Sequence, residues 1–336
     1  MRKEASFWRK KAGNKVQCFL CPHECVVSDG GRGICGVREN KGGKLFTLIY
    51  GSVSSVAADP IEKKPLYHFH PGSYALSFGT VGCNLFCKHC QNYSISRAKL
   101  EDYPLREFSP DEPALLAKER GCDGVAWTYN EPAIWQEFTL DASRVVKREG
   151  LYVVYVSNGF INEEPFREIG RYLDAINVDV KAFNDDFYKR VAGARLQPVL
   201  DTCRLARELG IHLEVTYLVI PGLNDSVDEV KSFCSWVYDE LGADTPVHFT
   251  RFYPYYKMLD NPPTPFETLE RAYNIAQREG LRFVYLGNVQ AGEYDNTYCP
   301  KCGALLIERF GFSSKIKNLE DGRCTVCGER IPVVMD

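Results

Sequence analysis

The sequence predicts an α/β protein built as a partial or complete (β/α) barrel of the TIM type. Two observations carry this. Short, nearly continuous apolar runs recur, each followed by an amphipathic stretch of helical length, which is the pattern of parallel strands covered by helices. Polar residues collect where the apolar runs end: Thr128 to Glu131, Ser157 to Gly159, Asp179 to Lys181, and Arg251. Carboxyl ends of strands are where such barrels keep their active sites, and about six or seven strand–helix units suit a barrel better than a doubly wound sheet.

Taken in order, "YALSFGT" (74–80) is the first strand and runs into a loop rich in cysteine. "SPDEPALLAKERG" opens a helix, with Ser109 and Glu112 spaced as a capping box and Pro110 at the first helical position. A strand over 124–129 and a helix over 132–148 follow, then a strand over 151–159 and a helix over 162–172. The next units are strand 175–183 with helix 198–209, and strand 211–222 with helix 225–240. Strand 247–254 comes before "TPFETLERAYNIAQREG", where Thr264, Pro265 and Glu267 repeat the capping arrangement, and strand 281–287 closes the series. Residues 71–290 thus form the barrel. Residues 1–70 and 291–336 lie outside the repeat as an N-terminal Cys-rich metal-binding segment and a C-terminal zinc-ribbon-like segment.

A net charge of -3 over 336 residues argues against a general electrostatic grip on nucleic acid or an acidic membrane. The basic start, "MRKEASFWRKKAGNKVQ", has no apolar run, so neither a signal peptide nor a membrane anchor is expected, and the expected location is the cytoplasm. In that compartment 14 cysteines point to metal or catalysis rather than disulfides. Eleven fall into three groups, and only Cys122, Cys203 and Cys234 stand alone, as small buried apolar residues.

The central group is "GCNLFCKHCQN" (82–92), with Cys83, Cys87 and Cys90 on one short loop. Three such thiolates can hold three irons of a [4Fe–4S] cube and leave the fourth iron for a small ligand. A zinc site completed by a distant residue would more often use C-x-x-C pairs. A run of buried thiols does not suit a loop that carries Gly82, Asn84, Lys88 and Asn92.

The spacing C-x-x-x-C-x-x-C, with the aromatic His89 before the last cysteine, resembles the signature of the radical S-adenosylmethionine (SAM) superfamily. That resemblance implies a barrel of the radical SAM type in which SAM chelates the open iron. An electron from a separate donor then cleaves the sulfonium to methionine and a 5′-deoxyadenosyl radical, which abstracts hydrogen from an unidentified substrate. The likeness continues along the strand ends. "TYNEP" resembles the segment that receives the SAM amino group, which falls to Glu131 and Asn130, with Tyr129 and Asn130 in place of two glycines. "VSNGF" makes Ser157 and Asn158 contacts for the ribose and carboxylate, and "VDVKAF" places Asp179 and Lys181 beside the carboxylate. His89 joins the cofactor-binding residues. "LVIPGLND" resembles a segment lying along the adenosine. Singly, each of these is as well read as a satisfied loop; their order, one per strand end, carries the argument.

Within the superfamily the chain is similar to the pyruvate formate-lyase activating enzyme. "DPIEKKPLYHFHPGS", "CFLCPHEC" with "GICGVREN", and "CNLFCKHCQNYSIS" together resemble the AmmeMemoRadiSam system radical SAM enzymes. These are named for their association with Memo-like and AMMECR1-like proteins, which are the partners the resemblance implies. A glycyl-radical activase is the alternative enzyme, and a zinc-ribbon binding module the alternative of another class.

The flanking groups read differently. "CPKCG" and "CTVCG" are paired knuckles, so Cys299, Cys302, Cys324 and Cys327 are expected to hold a structural zinc. Cys18, Cys21, Cys25 and Cys35 suit zinc or an iron–sulfur cluster, and the compactness of the region inclines the reading to zinc. His68, His70 and His248 are expected in satisfied structural roles. Tyr129, Arg251 and Tyr253 either line the substrate space or pack the barrel mouth.

Overall fold

The structure, a computed structural model, describes residues 1–335. Its centre is an eight-stranded sheet: β1 (Ser55–Pro60), β2 (Tyr74–Gly79), β3 (Gly124–Trp127), β4 (Tyr152–Ser157), β5 (Ala175–Asp179), β6 (His212–Val219), β7 (Val247–Arg251) and β8 (Val284–Gly287). The hydrogen-bonded order follows the chain from β1 to β8. All neighbours from β2 to β8 are parallel, and only β1 runs antiparallel, against β2. Six helices return the chain between strands: α1 (Glu112–Glu119), α2 (Gln136–Arg148), α3 (Glu163–Gly170), α4 (Gln197–Glu208), α5 (Val227–Trp236) and α6 (Phe266–Arg278). The sheet is thus the parallel barrel wall expected, and among the described residues no pairing joins β1 to β8.

Burial explains the pattern. β3 is buried throughout, and its Trp127 packs against Trp135 and Phe138, whose own centroids lie 4.9 Å apart. Both buried indoles find acceptors: Trp127 Nε1 donates to Ser143 Oγ at 3.0 Å and Trp135 Nε1 to the Ile49 carbonyl at 2.6 Å. Gly124 starts β3 because a Cβ there would lie 1.9 Å from the Tyr152 ring.

Two features depart from expectation. β1 was not foreseen as a strand. Thr264 does not cap α6; its hydroxyl donates to the Val219 carbonyl at 2.6 Å and accepts from the Phe252 amide at 2.9 Å, tying the ends of β6 and β7 together. At α1 half of the box forms, since the Ser109 amide donates to the Glu112 carboxylate.

The first 53 residues add small antiparallel sheets on the outside of α2. Arg38 reaches through them to Glu137 on α2, with Nη2 2.6 and 2.7 Å from the two carboxylate oxygens and both side chains almost fully buried. At the other end, Leu305–Phe310 pairs with Thr297–Tyr298 and Ser313–Ile316. Arg309 from this unit donates to the Tyr67 carbonyl at 2.7 Å and lies 4.2 Å over the Tyr67 ring. The chain then returns to residues 68–70: Phe69 and Val334 form an isolated parallel bridge, and the His70 amide donates to the Val334 carbonyl at 2.8 Å.

Inside the sheet, Glu214 is fully buried yet satisfied. It accepts from the His68 amide at 2.7 Å and faces His248 Nε2 at 2.6 Å and His212 Nε2 at 3.0 Å. Burial would raise its pKa, but the two imidazoles hold it well below the usual carboxylate range. His68 and His248 thus have satisfied structural positions. Among the described residues, no helix is long and apolar enough to cross a membrane.

Candidate active site

β2 ends at Gly79, and the loop that follows is held from both sides. The Asn130 carboxamide accepts from the Thr80 amide at 3.0 Å and donates to the Gly82 carbonyl at 2.8 Å. Gly82 has φ +90°, and a Cβ there would meet the Cys35 carbonyl at 2.8 Å, so only glycine lets the loop lie against the N-terminal segment. Further on, the Phe86 amide donates to the Ala192 carbonyl at 2.7 Å and the Lys88 amide to the Val191 carbonyl at 3.0 Å. Arg97 donates to the Cys83 carbonyl at 3.0 Å and lies 4.3 Å over the Phe86 ring. Cys83 Sγ accepts from the Leu85 amide at 3.4 Å and from Asn158 Nδ2 at 3.7 Å.

Parallel strands put their carboxyl ends on one rim, and the structure accordingly gathers the expected residues around one cavity of about 740 Å³. Cys83, Cys87, His89 and Cys90 line it from the loop, Asn130 and Glu131 from the end of β3, Ser157 and Asn158 from β4, and Asp179 and Lys181 from β5. Volumes of this order hold cofactor-sized ligands.

His89 bears most directly on what fills it. The ring is buried, and neither Nδ1 nor Nε2 has a hydrogen-bond partner. Burial, with Lys181 nearby, pushes the imidazole down to about 3, so it stands neutral. A buried ring with two orphaned nitrogens between two cysteines suits a site that a bound group completes.

Glu131 is 1% exposed and joins two strand ends. One oxygen accepts from the Ala133 amide at 2.9 Å and Ser157 Oγ at 2.8 Å, the other from the Asn158 amide at 2.8 Å. Burial pushes its carboxyl up to about 7, against the pull of those three donors. Asn158 in turn donates to Asn84 Oδ1 at 2.9 Å. Asp179 and Lys181 form an ion pair of 2.7 Å. Burial works against the Lys181 charge, but Asp179 and Cys87 outweigh it and hold the ammonium above its ordinary range. Asn130 lines the cavity and also positions the cysteine loop, since both ends of its carboxamide are engaged by loop backbone.

Three further residues, Asp59, Lys63 and Lys64, belong to this region and were missed as a group. Asp59, on β1 opposite Ala75, accepts from Lys63 at 2.8 Å, from Lys64 at 2.7 Å and from the Tyr129 hydroxyl at 2.6 Å. Lys64 is almost fully buried, and burial pushes its ammonium down to about 8 against the attraction of Asp59. Lys63, Lys64 and Tyr129 line the same cavity. Only the pairing of β1 with β2 brings Asp59 beneath Tyr129, and nothing local in "DPIEKKP" signals that. Of the other candidates, Tyr129 and His248 line the cavity, whereas Arg251 and Tyr253 are not among its lining residues.

The flanking cysteines form two more sites. Cys299, Cys302, Cys324 and Cys327 place their sulfurs within 4.8 Å of one another, with Cys299–Cys327 at 3.6 Å and Cys302–Cys324 at 3.7 Å. Four thiolates at these distances can enclose a single ion. Cys18, Cys21, Cys25 and Cys35 line a separate, small cavity with Arg38 and Asn84.

Comparison with known proteins agrees with this geometry. A sequence model of the radical SAM superfamily matches residues 78–234, from the end of β2 into α5. Protein MJ0808 of Methanocaldococcus jannaschii is 48% identical over 335 residues, covering 99% of this chain and 100% of that protein. The pyruvate formate-lyase-activating enzyme of Clostridium pasteurianum is 22% identical over 211 residues, 60% of this chain and 82% of that enzyme. Streptococcus suis SuiB bound to S-adenosylmethionine superposes at a TM-score of 0.49 and 13% identity, over 64% of this chain and 51% of that one. With its three-cysteine loop and the family match laid over the same strands, the chain belongs to the radical SAM superfamily and is an enzyme of that type.

Proposed function

We propose that Cys83, Cys87 and Cys90 hold a [4Fe–4S] cluster and that SAM fills the adjoining cavity. The observation that carries this is the orphaned His89 ring, set between two cysteines and facing the same space as Glu131, Asp179 and Lys181. When bound, the cluster and SAM supply reductive cleavage to methionine and a 5′-deoxyadenosyl radical, which abstracts hydrogen from the substrate. The chain's own residues bind and exclude water. Lys181 presents a cation to the SAM carboxylate, Ser157 and Asn158 hold the rim of β4, and Asn130 fixes the loop. The anaerobic, reduced, iron-replete protein is expected to release methionine and 5′-deoxyadenosine from SAM in the absence of substrate. Failure to form either product refutes the reading.

Glu131 retains an acceptor direction beyond its three internal donors, suited to the SAM ammonium. Replacing it, Glu131→Gln, is expected to weaken SAM binding by roughly tenfold to a hundredfold, the range of a hydrogen bond to a charged group, while the cluster persists. Because the folded carboxyl is raised to about 7, ionisation comes as pH rises through that value, and SAM binding to the parent protein tightens over the same range. Titrating SAM by calorimetry between pH 6 and 8 checks both; a parent curve as flat as the variant's removes Glu131 from this role.

The likeness to pyruvate formate-lyase-activating enzymes favours a second reading, activation of a glycyl-radical enzyme. A persistent protein-centred radical on a large partner distinguishes it from turnover of a small substrate. The sequence likeness to AmmeMemoRadiSam enzymes supports Memo-like and AMMECR1-like proteins as partners, and the three reduced cysteine groups support a cytoplasmic location.

At the C-terminal site the donor set and spacing support a structural zinc. A tetrahedron with thiolate bonds of about 2.3 Å has edges of about 3.8 Å, close to the 3.6 and 3.7 Å found. Elemental analysis is expected to give one zinc per chain from this site, removed by Cys299→Ser with Cys324→Ser. Zinc unchanged in that variant refutes the assignment.

A further inference from the structure

We propose that Cys18, Cys21, Cys25 and Cys35 hold a second iron–sulfur cluster, adjoining the three-cysteine loop, in place of the zinc that the sequence suggested. The chain offers its own comparison. Among the described residues, the C-terminal four are the group whose sulfurs all close to within 4.8 Å, as thiolates drawn onto one ion must. The N-terminal four instead surround a void of about 20 Å³. That exceeds the ~10–15 Å³ needed to admit a water, and four thiolates on a single zinc leave no such space between them. Thiolates that each bind a different iron stand wider apart, around the inorganic core. Cys83, Cys87 and Cys90 line their own cavity in the same open manner.

The surroundings suit a buried anionic cluster. Cys25 Sγ accepts from the Ile34 amide at 3.5 Å, and the backbone at Leu20, His23 and Val37 favours the thiolates of Cys18, Cys21 and Cys35 against the burial that opposes them. Arg38 is 1% exposed and lines the void, and its Nε has no partner even though Nη2 is bound to Glu137. A buried guanidinium that keeps one nitrogen open and whose charge acts on Cys18 and Cys35 points to a negatively charged occupant. Hydrogen bonds and positive charge near the sulfurs are also what tune an iron–sulfur centre.

Its place in the fold is specific. Asn84 lines the void, while its neighbour Cys83 lines the large cavity. Asn158 Nδ2 bridges the two, 2.9 Å from Asn84 Oδ1 and 3.7 Å from Cys83 Sγ, and His23 Nε2 lies 2.7 Å from the Asn84 carbonyl. The Cys35 carbonyl packs against Gly82. A cluster here is separated from the three-cysteine site by little more than one loop.

The test counts metals in a full-length Cys83→Ala, Cys87→Ala, Cys90→Ala variant, purified anaerobically after iron–sulfur reconstitution. The expected result is iron and acid-labile sulfide in equal amounts, a reducible cluster spectrum indifferent to SAM, and one zinc. Two zinc ions without iron, iron without sulfide, or no metal beyond the C-terminal zinc overturns the proposal. Adding Cys18→Ser and Cys35→Ser is expected to remove the remaining iron and sulfide; their persistence at unchanged levels also overturns it. Should that variant not fold, the count in the first one decides. The count does not rest on the SAM reading, since a parent protein that failed to cleave SAM would leave it unchanged.

Discussion

Replacing Cys83, Cys87 and Cys90 together with alanine is expected to abolish SAM cleavage, reducing 5′-deoxyadenosine to the level formed by reductant alone, while the chain stays folded. The first half follows from ligation, because no other sulfur of the loop is available to hold the cluster. The second follows from where the loop's fixity resides. Asn130 holds Thr80 and Gly82, Arg97 holds the Cys83 carbonyl, and the Phe86 and Lys88 amides donate to Ala192 and Val191. None of these bonds uses a cysteine side chain. Chromatography of the reaction products and circular dichroism of the variant check the two halves separately. Normal 5′-deoxyadenosine formation removes the cluster from the loop, and an unfolded variant means that the bound group, not the backbone bracing, holds the loop.

The largest stability effect is expected at the opposite face of α2. Glu137→Ala is expected to lower unfolding free energy by about 3–5 kcal/mol, the cost of leaving a buried charge without its partner. Arg38 is 2% exposed in its side chain, and its bidentate bond to Glu137 has no solvent to replace it. The Ser6 amide also loses its acceptor, 2.7 Å from Glu137 Oε1. Denaturant unfolding at pH 7 measures the loss. The Arg38→Met, Glu137→Ala pair is expected to recover part of it, since two apolar side chains leave no unpaired charge. A single variant within about 0.5 kcal/mol of the parent, as for ordinary surface positions, refutes the burial argument.

The barrel was legible because period and punctuation agree. β3 to β6 are apolar runs stopped by the polar residues that form the rim, and the strands end about where those residues begin: Trp127 before Thr128, and Ser157 and Asp179 themselves. One motif per strand end therefore placed Glu131, Asn158 and Lys181 on one cavity before any coordinates. What stayed hidden depends on pairings remote in sequence. "SVAADP" has no strict alternation, so β1 and the Asp59–Lys64–Tyr129 cluster appear only once β1 lies against β2. Thr264 matched a cap in sequence, but the meeting of β6 and β7 drew its hydroxyl elsewhere. For the N-terminal cysteines spacing alone left two metals open, because C-x-x-C serves both; the void between the sulfurs depends on how residues 33–38 fold back over them.

The bridge between Phe69 and Val334 bears on how the chain comes to be assembled. His68 and Pro332 touch across 264 residues of sequence, so this closure waits until every strand from β2 to β8 has left the ribosome. The closure entropy grows only slowly with loop length, but a contact this remote is made late and slows the final step. The three-cysteine loop, by contrast, is complete by residue 90 and its backbone supports by residue 257, whose amide donates to the Lys88 carbonyl. Iron–sulfur loading can therefore precede the last closure, and a metal bound at the C-terminal cysteines, whose segment makes that closure, would be the latch set last.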